Sequence, residues 1–356
     1  MLNLLYNLAT DKYQGFIFWP VKLFLLLLSF IYGLLARVLI LLYGLKPQRL
    51  NCKVISVGNI TLGGTGKTPL VEFIAQYLKR EGHKVAILTR GYKRKTIDYR
   101  LSTIDYKTMG DEPYMLSKKL EGIPIIVDAD RARGAEKAIK DYNADTIILD
   151  DGFQQWGIIK DLEIVTIDAA NPFGNFHLLP RGILRQPLST LKKVDLFVLT
   201  KTNLGLKQDK PNNFLSAINP KAQIFESGHK PVSFYGLKNP DELLSINALG
   251  NKLVTLVSGI GDPNSFEKLI FNLNIHIGLS FIFPDHHDYT QRDLDKIIAV
   301  SKEKGIDTII TTEKDAVRLC DKRDAISEMH ILVLRIELEF KDEERFIHRL
   351  REFYAF

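Results

Sequence analysis

One eight-residue segment limits the folds open to this chain more than any other: Thr61-Leu62-Gly63-Gly64-Thr65-Gly66-Lys67-Thr68. It follows a short β-branched run, Lys53 to Val57, and precedes an amphipathic stretch that reads as a helix from about Pro69 to Glu81. Strand, glycine-rich turn and helix in that order form the setting of a Walker A loop, in which backbone N–H groups and the helix N-terminus close around phosphate oxygens. In such a loop Lys67 reaches the β- and γ-phosphates of ATP and the Thr68 hydroxyl binds Mg2+. The strict pattern opens on glycine, where this chain has Thr61; the Gly-Lys-Thr core is intact.

The rest of the chain suits an α/β protein with a mostly parallel sheet. Val85 to Leu88 is the next strand, and three further apolar runs each end in aspartate: Pro124 to Val127 before Asp128, Thr146 to Leu149 before Asp150, Ile164 to Ile167 before Asp168. Strands buried on both faces read this way, and ligands bind beyond their carboxyl ends. Among these aspartates Asp150, with Asp151 beside it, is expected to hold the metal, because the most hydrophobic run ends there and Gly152 turns the chain at once. Phe197 to Thr200 should be the last strand of this unit, and residues 204 to 222 a polar surface connection. A second α/β unit follows, with strands at Leu253 to Val257, Ile277 to Phe283 and Thr308 to Ile310. Its helices are capped by Thr290 with Asp293 and by Thr312 with Asp315.

The expected organisation is an apolar helical segment over 1–48, a P-loop domain over 49–225 and a smaller α/β domain over 226–356 that closes over the site. From Phe16 to Leu45 the chain is apolar and aromatic, but Lys22 and Arg37 leave an uncharged run shorter than the ~20 residues a spanning helix needs. Lys22, Ser29, Gly33, Arg37 and Gly44 fall on one helical stripe. That predicts a helix, or a bent pair, lying in the membrane interface with Lys and Arg reaching headgroups. Lys12, Lys22, Arg37, Lys46 and Arg49 against Asp11 alone favour the cytoplasmic leaflet. The net charge of +6 suits anionic partners, while Cys52 and Cys320 stand in no metal or redox spacing.

Two other P-loop classes lack their diagnostic residue. A GTPase needs Asn-Lys-x-Asp for guanine, and Thr200-Lys201-Thr202-Asn203 ends in asparagine. A partitioning ATPase needs an early loop lysine where Leu62 stands. Basic residues neither cluster with aromatics nor match a nucleic-acid module, so no nucleic acid is expected, and no protein partner is implied.

Motifs spread along the chain resemble the tetraacyldisaccharide 4'-kinase (lipid A 4'-kinase) family. They are VGNITLGGTGKTP at 57–69, TRGY at 89–92, MGDEP at 109–113, DADR at 128–131, ILDDGFQ at 148–154, LLPRGILRQP at 178–187, FPDHHDYT at 283–290 and TTEKDAVRL at 311–319. The resemblance implies transfer of the ATP γ-phosphate, with Mg2+, to the 4'-hydroxyl of a tetraacylated glucosamine disaccharide 1-phosphate. That is a late step of lipid A biosynthesis, here placed at the cytoplasmic face of a bacterial inner membrane. It implies Asp111 as catalytic base with His286 as its partner, and Arg131, Arg185, Tyr92 and Glu112 in segments that contact anions or substrate. The chain departs from the family at Gln186, where a glutamate is usual, so a role needing negative charge there is not implied.

Overall fold

A computed structural model describes residues 11, 15–90, 106–204, 209–320 and 329–355. The glycine-rich loop does join a strand to a helix: β1 (Lys53–Asn59) leads into it, and α2 (Lys67–Arg80) leads out. Before them comes α1 (Trp19–Gly44). Apart from a single helical turn at Tyr106–Met109 and short 3-10 turns, the remaining elements in chain order are β2 (Val85–Thr89), α3 (Asp111–Lys119), β3 (Ile125–Val127), α4 (Arg131–Tyr142), β4 (Thr146–Asp150), β5 (Leu162–Asp168), β6 (Leu196–Thr200), α5 (Asp209–Ile218) and β7 (Gln223–Gly236). They continue with β8 (Leu243–Ser245), β9 (Leu253–Ser258), α6 (Pro263–Asn272), β10 (His276–Ile282), α7 (Gln291–Glu303), β11 (Thr308–Thr312), α8 (Glu313–Leu319), β12 (His330–Phe340) and α9 (Glu343–Tyr354).

Among the described residues twelve strands join one sheet in the order β10-β9-β11-β12-β7-β6-β5-β1-β4-β2-β3, with β8 beside β7. Every pairing is parallel except β7 with β12 and with β8. The hydrophobic runs follow from this: β2, β4 and β6 are buried along their whole length between helices on both faces. At the far edge β10 alternates exposed and half-buried residues, as a strand covered on one face should.

Two sequence expectations need correction. Residues 204–222 are more than a connection, because α5 occupies Asp209–Ile218, with Leu215 in the core. The boundary placed at 225/226 falls inside β7, a single strand that pairs in parallel with β6 through Gln223–Glu226 and antiparallel with β12 beyond it. Nor does 226–356 stay together. Leu338, Phe340, Phe346, Leu350 and Phe353 pack into the core of the first half, against Leu70, Ile74, Leu78 and Ile55.

The N-terminal helix is one continuous rod with one buried stripe, Leu25, Ser29, Gly33 and Ala36. That stripe is turned to the protein rather than to headgroups. The Ser29 hydroxyl donates to the Leu178 carbonyl (2.8 Å) and accepts from the Arg181 amide (2.9 Å). A Cβ on Gly33 would lie 2.7 Å from Leu178 Cδ1. Lys22 pairs with Asp11 (2.7 Å) and Arg37 donates to the Gly33 carbonyl. Burial would raise Asp11, but Lys22, Arg181 and Asn175 outweigh it and bring the carboxyl to about 2. The remaining faces leave Phe24, Leu27, Phe30, Leu34 and Leu41 exposed, and the rod is long and apolar enough to cross a membrane.

Candidate active site

Local bonds shape the phosphate loop before any side chain acts. The Asn59 amide donates to the Thr61 carbonyl (2.7 Å), the Leu62 N–H to the Ile183 carbonyl (2.8 Å), and the Thr200 hydroxyl to the Thr65 carbonyl (2.9 Å). Thr61 bridges Leu184 in extended backbone, which any residue adopts, so the first position of the motif needs no glycine here. Gly66 does need to be glycine. Its φ is +77°, and a Cβ there would meet the Thr200 side chain at 3.1 Å and His229 Nε2 at 3.3 Å. Leu62, Gly63, Gly64, Thr65 and Thr68 complete the wall of a cleft of about 380 Å³ between the two halves of the sheet.

Lys67 leads into that cleft, with its Nζ 3.6 Å from Asp151. Arg185 grips the same carboxylate with two N–H groups (2.8 and 3.0 Å) and donates a third bond to Asn59 Oδ1 (3.0 Å). Burial would raise Asp151, but Arg185 and Lys67 prevail and hold its carboxyl at about 2. Its neighbour Asp150 goes the other way: burial and the charge of Glu112 push it to about 7 despite Lys67.

The other strand-end aspartates are engaged elsewhere. Asp128 holds the start of α4 through Arg133 (2.7 and 2.9 Å), and Asp168 pairs with the buried Lys201. Arg131 is buried behind the cleft wall, with one N–H on the Asp150 carbonyl (3.0 Å), and burial lowers it to about 10. Gln186 is fully buried, and among the described residues its amide has no partner. Tyr92 lies outside the described residues.

Across the cleft the two sequence-predicted residues meet. Asp111 opens α3, where the helix N-terminus favours a carboxylate, and its Oδ2 lies 3.0 Å from His286 Nδ1. Burial opposes ionisation of Asp111, while His286 and Arg318 (3.5 Å) pull it below its ordinary value. His286 has a φ of +60°, a strained backbone that histidine tolerates better than most residues and that recurs at functional sites. The second histidine is occupied: His287 reaches Asp293 (3.0 Å) in the capping box of α7 and stacks on Phe283.

Sequence reading missed Lys314, on the first turn of α8, which contacts Glu112 (3.1 Å), Asp285 (3.3 Å) and His286 Nε2 (3.2 Å). Burial would raise Glu112, yet Lys314 and Lys67 bring it down. The only signal in the chain was its place inside TTEKDAVRL. Also missed was His229, buried beside Lys201, which burial and that charge lower to about 4.

A glycine-rich phosphate loop with its lysine, sharing a cleft with the histidine of a carboxylate–histidine pair on a mostly parallel sheet, defines a P-loop phosphotransferase. The family model described as Tetraacyldisaccharide-1-P 4'-kinase matches residues 21–355. Tetraacyldisaccharide 4'-kinase of Halothermothrix orenii is 38% identical over 348 residues, covering 90% of each chain. The protein of that name from Desulfatibacillum aliphaticivorans is 34% identical, covering 90% of this chain and 89% of its own. The crystal structure of an "apo" form of LpxK from Aquifex aeolicus in complex with ATP superimposes with a TM-score of 0.71 at 27% identity, over 94% of this chain and 99% of that one. The chain belongs to the tetraacyldisaccharide 4'-kinase family. It is an ATP-dependent kinase of lipid A biosynthesis.

Proposed function

We propose that this chain transfers the γ-phosphate of ATP to the 4'-hydroxyl of a tetraacylated glucosamine disaccharide 1-phosphate, with Asp111 as the base. The observation that carries the reading is the 3.0 Å contact between Asp111 and His286 across the cleft from the phosphate loop. Both His286 and Arg318 approach Oδ2 of Asp111, which leaves Oδ1 for the incoming hydroxyl. In the transfer the sugar oxygen forms a bond to the γ-phosphorus while the bond from that phosphorus to the β,γ-bridging oxygen breaks. The bridging oxygen leaves with ADP, and the hydroxyl proton passes to Asp111. Phosphoryl transfer is loose, so the protein mainly positions groups and neutralises charge, and a weak carboxylate base taking the proton late suffices.

Lys67 and the loop amides bind the β- and γ-phosphates. Arg185 holds Asp151 so that this carboxylate does not capture Lys67. Glu112 belongs to the rim facing the acceptor, and Arg131 supports the Asp150 strand end from behind. Mg2+ fits the residues present. Asp150 is a buried carboxyl kept protonated up to about 7, and a bound cation is what would ionise it. Among the described residues no group of three or more acidic, His or Cys side chains is arranged to hold a metal ion. That suits a metal bound by one or two carboxylates and substrate phosphates rather than by a protein cage. Thr68 and Asp150, with Asp151 alongside, would hold it, and its chemistry there is neutralisation of phosphate charge.

We place the enzyme at the cytoplasmic face of the bacterial inner membrane, peripheral or monotopic, with the exposed faces of α1 in the bilayer surface. The two halves of the sheet, joined by β7, are read as lobes that close over ATP and lipid. Purified protein incubated with ATP and a detergent-dispersed lipid disaccharide monophosphate should yield, by mass spectrometry, a product one phosphate heavier at the 4'-position. Hydrolysis of ATP with no such product would overturn the acceptor assignment.

A further inference from the structure

Lysine is a donor-only side chain: its ammonium carries three N–H groups and no lone pair. Around Lys314 Nζ stand three acceptors, Glu112 Oε1 at 3.1 Å, His286 Nε2 at 3.2 Å and Asp285 Oδ1 at 3.3 Å. Donors and acceptors match one to one. The imidazole nitrogen can join this set only by offering its lone pair, so the ring proton must sit on the other nitrogen. That nitrogen, Nδ1, faces Asp111 Oδ2 at 3.0 Å.

We propose that Lys314 is a positioning residue that selects the neutral Nδ1–H tautomer of His286 and so fixes the direction of the His286–Asp111 hydrogen bond. The alternatives meet bad neighbours. An Nε2–H ring would aim its proton at the ammonium 3.2 Å away, with Asp285 Oδ1 at 3.9 Å, beyond hydrogen-bond reach; a doubly protonated ring would set two cations 3.2 Å apart. Burial disfavours the charge on Lys314, but Glu112 and Asp285 overcome it and keep the ammonium protonated. His286 is half-exposed and its backbone is strained, so its own packing does not fix the ring. The site therefore reads as a relay of orientation. Lys314 on α8 sets the ring, the ring sets the Asp111 carboxylate on α3, and Oδ1 is left aimed at the acceptor. Glu112 joins the same ammonium, so α3 and α8 are tied at both ends of the relay.

This inference rests on the assignment of Asp111 as base, and its test separates the two. Full-length protein carrying 15N-histidine, in detergent micelles, would be read by long-range 1H–15N correlation, with H286Q identifying the His286 signals. The wild type should show Nδ1 protonated and Nε2 unprotonated. In Lys314→Met the two tautomers should mix. Its kcat should fall by about 10- to 100-fold, the scale of a misplaced catalytic group. Lys314→Arg, which keeps a donor, should recover part of the loss. In a His286→Ala background Lys314→Met should cost less than about threefold more, because residues acting as a unit are non-additive. Protonation of Nε2 in the wild type, an unchanged tautomer in Lys314→Met, or fully multiplicative kinetic losses would each overturn the proposal. If Asp111→Ala kept full activity, the base assignment would fall, while the wild-type tautomer would still decide what Lys314 does to the ring.

Discussion

Replacing Arg185 by methionine removes the guanidinium fork while keeping an apolar stem of similar length. Three hydrogen bonds disappear, two to Asp151 (2.8 and 3.0 Å) and one to Asn59 (3.0 Å). Asp151 falls from 3.8 to about 2 in the fold, which at about 1.36 kcal/mol per unit corresponds to ~2.4 kcal/mol. The side chain keeps 37% exposure and Arg185 is one contributor among several, so solvent screening reduces the expected loss to about 1 kcal/mol. In a chain of this length that is a Tm lower by roughly 1 °C. A depressed carboxyl stabilises the fold above its unfolded pKa and stops doing so as pH falls through the folded one. The gap between variant and wild type should therefore be constant from pH 8 to about pH 5 and close between about 4 and 2. Activity should suffer more than stability. Without Arg185, Asp151 is free to draw in Lys67, 3.6 Å away, and kcat/KM for ATP should drop by about 10- to 100-fold. Arg185→Lys cannot make the paired contact and should recover little of it. Thermal unfolding across this pH range and steady-state kinetics provide the assay. A variant with wild-type Tm at pH 7 and kcat/KM within twofold of wild type would show that the clamp does not hold the site.

Lys67→Ala should leave the fold intact and remove about 3 to 4 kcal/mol of transition-state stabilisation; wild-type turnover in a folded variant would take the phosphate loop out of the mechanism. Asp150→Asn should abolish activity yet stabilise the protein free of nucleotide and metal. A carboxyl raised from 3.8 to about 7 loses its favourable protonated state as pH climbs, so the gain should grow from about pH 4 to about pH 7 and reach ~4 kcal/mol; a gain independent of pH would contradict the assigned shift. Asp111→Ala and His286→Ala should each lower kcat strongly with little change in KM for ATP, and the double variant should cost far less than their product. His287→Ala should instead cost ~1 kcal/mol of stability through the weakened cap of α7, with kcat preserved; the reverse outcome would exchange the two histidines. Deleting residues 1–45 should weaken membrane association and also lower kcat, because α1 braces the Leu178–Arg185 loop. Tyr32 donates to the Arg185 carbonyl (2.6 Å); loss of binding alone, with kcat intact, would reduce α1 to a tether.

The sequence disclosed the elements whose signal is local. The glycine-rich turn, the apolar runs ending in aspartate and the caps at Thr290 and Thr312 are written in adjacent residues, and each stands where the pattern put it. Asp128 and Asp168, the other two strand-end candidates, pair with Arg133 and Lys201; Asp150 as the metal ligand stays part of the proposal. What was illegible depends on contacts between distant residues. The stripe on α1 has the composition of a headgroup-facing surface, and only Leu178 and Arg181, some 150 positions on, reveal that it faces protein. Lys314 resembles any solvated helix lysine until α3 supplies Glu112 and the 285–286 turn supplies its other two acceptors. A boundary at 225/226 followed the polar stretch before it, whereas the chain crosses from one half to the other within a strand.

The return of α9 to the first core has a consequence for synthesis on the ribosome. Phe346 lies fully buried against Phe73, Phe225 and Phe340. The phosphate-loop helix and the strand bearing Phe225 are thus complete about 120 residues before the aromatic residue that seals them. At ~5–20 residues per second, the Phe225 strand waits about 6 to 24 s for that cover, and α2, completed earlier, waits longer. During that interval the nascent chain carries an open apolar patch beside its own nucleotide loop. The half of the protein that binds ATP cannot mature first, and holding factors that bind exposed aromatic surface should be in greatest demand before the last helix emerges.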